Sequence, residues 1–160
     1  MTLEYQLGDV INVKGKGPIS RIISAFTHSP YTHTACYVGE GNIVESTWGG
    51  VKVSSIDKYK NHDIFRNYYA NERQCIDATT WMLNQVGAGY DYRGLVGIAL
   101  SLIKGRRRNK LDNKNKYWCS ELVADGYILA DIKNDFNPNT WLTTPADFAK
   151  SKCFRRIKDD

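Results

Sequence analysis

Three residues stand where nucleophilic acyl chemistry would need them. Cys119 follows the loop residues Tyr117 and Trp118 and opens the apolar-periodic run Cys119 to Ala130. At a helix N-terminus the unpaired N–H groups and the helix dipole favour a thiolate over a thiol, and the thiolate is the nucleophile of covalent catalysis. The same position also suits a small buried apolar side chain. His33 lies in the β-rich run Thr32 to Val38. A strand histidine is either a hydrogen-bonded core residue or a base held rigidly by its sheet. Glu45 interrupts the otherwise apolar run Asn42 to Thr47. A carboxylate there is costly unless it is paired or wet. Beside His33 it would fix the ring's tautomer and stabilise imidazolium.

Other candidates are weaker. His28 adjoins the Ser29-Pro30 turn, and His62 sits in the polar run Lys58 to Asp63, so both are expected at the surface. Cys36, Cys75 and Cys153 fall within a strand, on the inner face of a helix and at the start of a strand. None has a helix N-terminus to stabilise a thiolate. There is no CxxC and no Cys/His cluster with zinc spacing, so neither a metal nor another cofactor is expected.

These side chains meet only if the strand register allows it. A two- or four-residue loop over Gly39 to Asn42 would set Cys36 opposite Glu45 and turn Glu45 away from His33. A three- or five-residue loop, or a bulge, would put both on one face, and Gly39 and Gly41 supply the freedom for a bulge.

The elements that would carry the site follow from the pattern. A turn at Gly8-Asp9 enters a strand ending near Val13, and Lys14 to Pro18 breaks it. Ile19, Ile22, Ile23 and Phe26 have helical spacing. The runs Thr32 to Val38 and Asn42 to Thr47 form a hairpin, with further strands at Val51 to Val53 and Asp63 to Tyr69. In Glu72 to Val86, Cys75, Ala78, Thr79, Met82, Leu83 and Val86 share one helical face, and Gly87 stops the helix. Gly94 to Ile103 is a further helical candidate, followed by a polar loop from Lys104 to Lys116. Cys119 to Ala130 is amphipathic, with Leu122, Val123, Gly126 and Tyr127 on the inner face. A helix beginning near Pro145 and a strand near Cys153 to Ile157 complete the chain. Strands gather in the first half and helices in the second, which defines an α+β class with one domain over residues 1–160.

Composition narrows the function classes. Hydrophobic residues make up 42% and charged residues 24%, values of a folded globular chain. No basic and apolar leader opens the sequence, and Gly94 to Ile103 is about half the ~18 residues a membrane span needs. A cytoplasmic location is therefore expected. The net charge of +5 is concentrated in part at Lys104, Arg106, Arg107 and Arg108. That run is either a solvated loop or a weak contact for an anionic surface, and no clear nucleic-acid site accompanies it.

Five segments, in this order, resemble the permuted papain-like hydrolases of the NlpC superfamily, specifically their YiiX-like branch. They are Gly8-Asp9-Val10-Ile11, the strand with His33, Ile43-Val44-Glu45-Ser46, Gly89-Tyr90-Asp91-Tyr92-Arg93-Gly94, and Tyr117-Trp118-Cys119-Ser120-Glu121-Leu122-Val123. The histidine precedes the cysteine, which is the permuted order. The resemblance implies a small antiparallel, barrel-like sheet packed against the helix that carries the nucleophilic cysteine. It implies Cys119 as nucleophile, His33 as base and Glu45 as orienting acid, acting without metal. Tyr90 matches a substrate-contacting position or a structural one, and Tyr117 is a candidate wall of the cleft. The implied reaction is cleavage of an amide or ester through a Cys acyl-enzyme. The implied partner is an acyl-bearing peptide, peptidoglycan fragment or lipid. A lipid acyltransferase using the same residues and a binding module that kept the fold are the alternatives.

Overall fold

The computed structural model describes residues 4–16, 18–91 and 116–157. The helical candidate Gly94 to Ile103 and the basic residues Lys104 to Arg108 lie outside them.

A six-stranded antiparallel sheet organises the chain. Its strands are β1 (Val10–Val13), β2 (His33–Gly39), β3 (Asn42–Thr47), β4 (Gly50–Ser55), β5 (His62–Asn67) and β8 (Phe154–Ile157), in the spatial order β4-β3-β2-β1-β5-β8. The linear order leaves β4 and β8 as edges, so the sheet is open where a barrel-like one was expected. A short parallel pair, β6 (Gly89–Tyr90) with β7 (Lys116–Tyr117), lies beside the β4 edge. There the N–H of Val51 donates to the Ala88 carbonyl at 2.8 Å and the N–H of Gly87 donates to the Val51 carbonyl at 2.9 Å. These bonds occupy edge groups that would otherwise invite another strand.

Helices α1 (Pro18–Thr27), α2 (Glu72–Asn84), α3 (Cys119–Leu129) and α4 (Pro145–Lys150) fall close to the expected spans. Asn71 caps α2 by accepting from the Gln74 N–H at 2.9 Å, and the Gln74 side chain accepts from the Asn71 N–H at 3.1 Å. Asp147 plays the reciprocal part at α4, accepting from the Thr144 N–H at 2.6 Å.

Strand alternation divides the apolar residues between the two sheet faces. Val10, Cys36, Val44 and Phe65 meet Ala78 and Met82 of α2 and Leu122, Val123 and Tyr127 of α3. Ile11, Ala35, Ile43 and Ile64 form a smaller cluster on the other face, closed by Ile56. Gly126 is required where α2 and α3 cross, because a Cβ there would meet the Met82 side chain at 2.5 Å. The expected α2 face is only half covered: Ala78, Thr79 and Met82 are buried, whereas Leu83 and Val86 are exposed. They lie in the last turn and beyond it, past the end of α3's cover.

Candidate active site

The β2–β3 register decides the site. Ala35 pairs with Glu45, Cys36 with Val44 and Tyr37 with Ile43, after which the register shifts to Gly39 with Asn42. Val38 is thus the extra residue of a bulge. The turn beyond it has φ of 50° at Glu40 and 73° at Gly41, the two positive values that a tight hairpin of this hand requires. The bulge keeps Glu45 and His33 on one face of the sheet. His33 Nε2 lies 2.8 Å from Glu45 Oε2.

Glu45 has no solvent exposure, and its charge is met by four donors. Besides the imidazole, Tyr59 Oη donates to Oε2 at 2.6 Å, Lys58 Nζ to Oε1 at 2.6 Å and Ser54 Oγ to Oε1 at 2.7 Å. Burial alone would raise the carboxyl's pKa, but these partners, His33 foremost, hold it well below the usual carboxylate range. Tyr59 is kept protonated by its own burial and by the bond to Glu45.

Cys119 is the first residue of α3 and is 3% exposed. Its thiol interacts with the His33 ring and with the backbone N–H groups of Thr34 and Ser120, which favour its charged form. Glu45 engages Nε2, which leaves Nδ1 as the ring nitrogen for the sulfur. Burial disfavours the thiolate, yet the bond and attraction to His33 outweigh it and lower the thiol's pKa. Burial likewise disfavours imidazolium, but Cys119 and Glu45 carry His33 up to about 9. Both directions favour a thiolate–imidazolium pair over the neutral one. Cys36 and Cys75 differ in kind, since burial pushes both upward.

The N-terminus of α3 is open for chemistry. Its N-cap, Trp118, carries an indole, which has no acceptor to satisfy the first helical N–H groups. Glu121 reaches back to the Trp118 N–H at 3.2 Å instead. As the first N–H of α3, that of Cys119 has no carbonyl partner within the helix and is the candidate donor to an oxyanion formed beside the sulfur.

Cys119 and His33 line a cleft of about 300 Å³ together with Ser20, Thr32, Ser46, Thr47, Trp48, Lys58, Tyr59 and Tyr90. Tyr90, one of the two candidate substrate contacts, is among these lining residues. Tyr117 is not among the described lining residues. Its ring packs edge-on against Trp81 and its hydroxyl donates to Gln85 at 3.2 Å, because α2 lies against that side of β7. Only its carbonyl serves the site, accepting from Ser46 Oγ at 2.6 Å. His62 also departs from expectation: it is half-buried, with Nε2 2.9 Å from Tyr5 Oη and Nδ1 2.6 Å from the Tyr59 carbonyl.

Ser54, Lys58, Tyr59 and Trp48 are site residues that the sequence pattern did not single out. One signal was readable for the first three. A buried Glu45 needs donors, and the polar stretch Ser54 to Tyr59 ends the strand neighbouring its own.

Comparison with known proteins gives a consistent picture. No family model matches the chain. A curated relative, "Probable lipoprotein peptidase YaeF" of Escherichia coli strain K12, is 24% identical over 168 aligned positions covering 88% of this chain. The chain spans about three fifths of that relative's length (61%). Among solved structures, the "metalloprotein yiiX from Escherichia coli O157:H7" superposes with a TM-score of 0.72 over 97% of both chains, at 17% identity. That neighbour's title raises the question of a metal. Among the described residues of this chain no group of three or more His, Cys, Asp and Glu could hold one. Glu45 is already saturated by its four donors, so the site does not fit a resident metal. No helix among the described residues is long and apolar enough to cross a membrane. In fold over nearly its whole length, and in sequence to one probable peptidase, the chain resembles the YiiX-like branch.

Proposed function

We propose that the protein is a permuted papain-like cysteine hydrolase that cleaves an amide or ester through an acyl-enzyme on Cys119. The observation that carries this reading is that Cys119, at a helix N-terminus, and His33, hydrogen-bonded to Glu45, line one cleft. The similarity to a probable peptidase supports the reaction class.

In this reading the Cys119 thiolate attacks the substrate's carbonyl carbon. The charge that develops on oxygen is met by the Cys119 N–H and the positive end of α3. The His33 imidazolium gives its proton to the leaving nitrogen or oxygen as that bond breaks, which leaves a thioester and a neutral ring. Water then attacks the thioester and His33 takes its proton. Acid is released, and thiolate and imidazolium are restored. Glu45 keeps the ring oriented and favours its charged form in both half-reactions.

Acid-quenched intact mass spectrometry during turnover of simple esters and amides tests the proposal. A transient acyl increment on Cys119, absent from Cys119→Ala, is the expected result. Turnover that persists in Cys119→Ala would end it. Product analysis with and without an alternative acceptor separates hydrolysis from acyl transfer.

A further inference from the structure

Trp48 is 57% exposed at the tip of the β3–β4 hairpin, where it belongs to the same cleft as Cys119. Its ring stacks on Tyr90 with centroids 5.7 Å apart and planes 22° from parallel. The pair forms an aromatic stack in the cleft that Cys119 also lines.

This face is built rather than incidental. Gly50, which follows the turn, has φ +94°, and a Cβ there would lie 2.3 Å from the Ala88 carbonyl. The close approach clamps the hairpin carrying Trp48 onto the segment carrying Tyr90, through the Val51–Ala88 and Gly87–Val51 hydrogen bonds. Tyr90 in turn pairs with Tyr117, two residues before Cys119. The platform and the sulfur are therefore held in fixed relation.

The charges around the cleft restrict what such a face can receive. Among the described lining residues the groups that can bear charge are Lys58, His33 and Cys119. Lys58 is committed to Glu45 at 2.6 Å, His33 is bonded to Glu45 at 2.8 Å, and Cys119 is 3% exposed. No acidic side chain lines the cleft among the described residues. Among the described lining residues nothing compensates a charged substituent, whereas an apolar one would cover exposed aromatic surface.

We propose that Trp48, stacked on Tyr90, is the floor of a subsite for an uncharged apolar group attached to the reacting carbonyl. The proposal takes Cys119 as the reacting group, as above, and its test separates the two readings.

The probe is alkylation of Cys119 by N-alkyl iodoacetamides from methyl to hexyl, with a carboxylate-ended pentyl analogue, followed by mass spectrometry. This needs no turnover, so it stands even if ester and amide cleavage is not found. In the wild type the second-order rate should rise by about threefold per methylene, and the carboxylate-ended reagent should lose that gain. Trp48→Ala should flatten the series to within about twofold, each rate being taken relative to that variant's own rate with iodoacetamide. Trp48→Phe should keep most of the slope, and its melting temperature controls for folding. A slope that survives in Trp48→Ala, or equal rates for the hexyl and carboxylate-ended reagents, would overturn the subsite. Loss of Cys119 reactivity toward every reagent in folded wild-type protein would overturn it together with the nucleophile assignment.

Discussion

His33 and Glu45 share a face of the sheet because one residue, Val38, is bulged out of the ladder between them. Removing Val38 alone would leave Tyr37–Ile43 and Gly39–Asn42 as consecutive pairs of a regular ladder with Ala35 still opposite Glu45, whereas removing Tyr37 with it would shift β2 by one position. Deleting both Tyr37 and Val38 should therefore set Thr34 opposite Glu45, separate the imidazole from the carboxylate and abolish turnover. A Val38→Ala substitution, which keeps the backbone, should leave most activity. Equal activity in the two variants would mean that the register does not govern the site.

Glu45→Gln tests the carboxylate more gently. The amide keeps the shape but loses the charge that stabilises imidazolium, so kcat/KM should fall on the order of a hundredfold or more. An amide cannot accept from all four donors, so stability should also fall, by about 1–3 kcal/mol. The check is steady-state kinetics beside a urea melt. Unchanged kinetics in a folded Glu45→Gln protein would remove Glu45 from the mechanism.

Lys58 should set the upper pH limit. Its ammonium lies 2.6 Å from Glu45 Oε1 and offsets part of the negative charge felt by His33. Activity needs the charged ring, so kcat/KM should fall as pH rises through about 9, where His33 loses its proton. Lys58→Met removes the offset, so the ring should hold its proton to higher pH. The alkaline limb should then move upward by roughly half a unit, since the ammonium is partly exposed and screened. A limb that stays in place, or moves down, would show that Lys58 does not act through Glu45.

The hairpin that presents Trp48 should be sensitive at Gly50. Gly50→Ala meets both an unfavourable φ and the Ala88 carbonyl at 2.3 Å, and should cost about 1–3 kcal/mol. Gly39 has φ +100° but open space around its missing Cβ, so Gly39→Ala should cost less. Thermal melts of the two variants decide it; a larger loss at Gly39 would contradict the clamp.

Much of this arrangement was legible in the sequence because it rests on local rules. Cys119 at a helix start, the capped helix after Asn71 and the Pro145 helix each follow from a few adjacent residues. The β2–β3 hairpin was legible too, but not the choice between a regular loop and a bulge, since Gly39 and Gly41 permit either. Long-range placement was the harder part. Lys58 and Tyr59 read as a polar surface turn until β4 is laid beside β3, where they close over Glu45. Tyr117 read as a cleft wall because it neighbours the nucleophile in sequence, yet α2 supplies Trp81 and Gln85 on its other side. Trp48 lay in a Gly-rich turn and gave no periodic signal.

The central claim is that His33 turns the Cys119 thiol into a thiolate, and the pH dependence of Cys119 alkylation by iodoacetamide tests it most directly. Wild-type protein should alkylate Cys119 before Cys36, Cys75 and Cys153, with a rate already near its plateau at neutral pH. In His33→Ala the neutral-pH rate should fall and the rise should move toward or above the ordinary thiol value, because burial is then opposed only by the Thr34 and Ser120 N–H groups. A wild-type profile that rises only near pH 9 and is unchanged in His33→Ala would contradict the account.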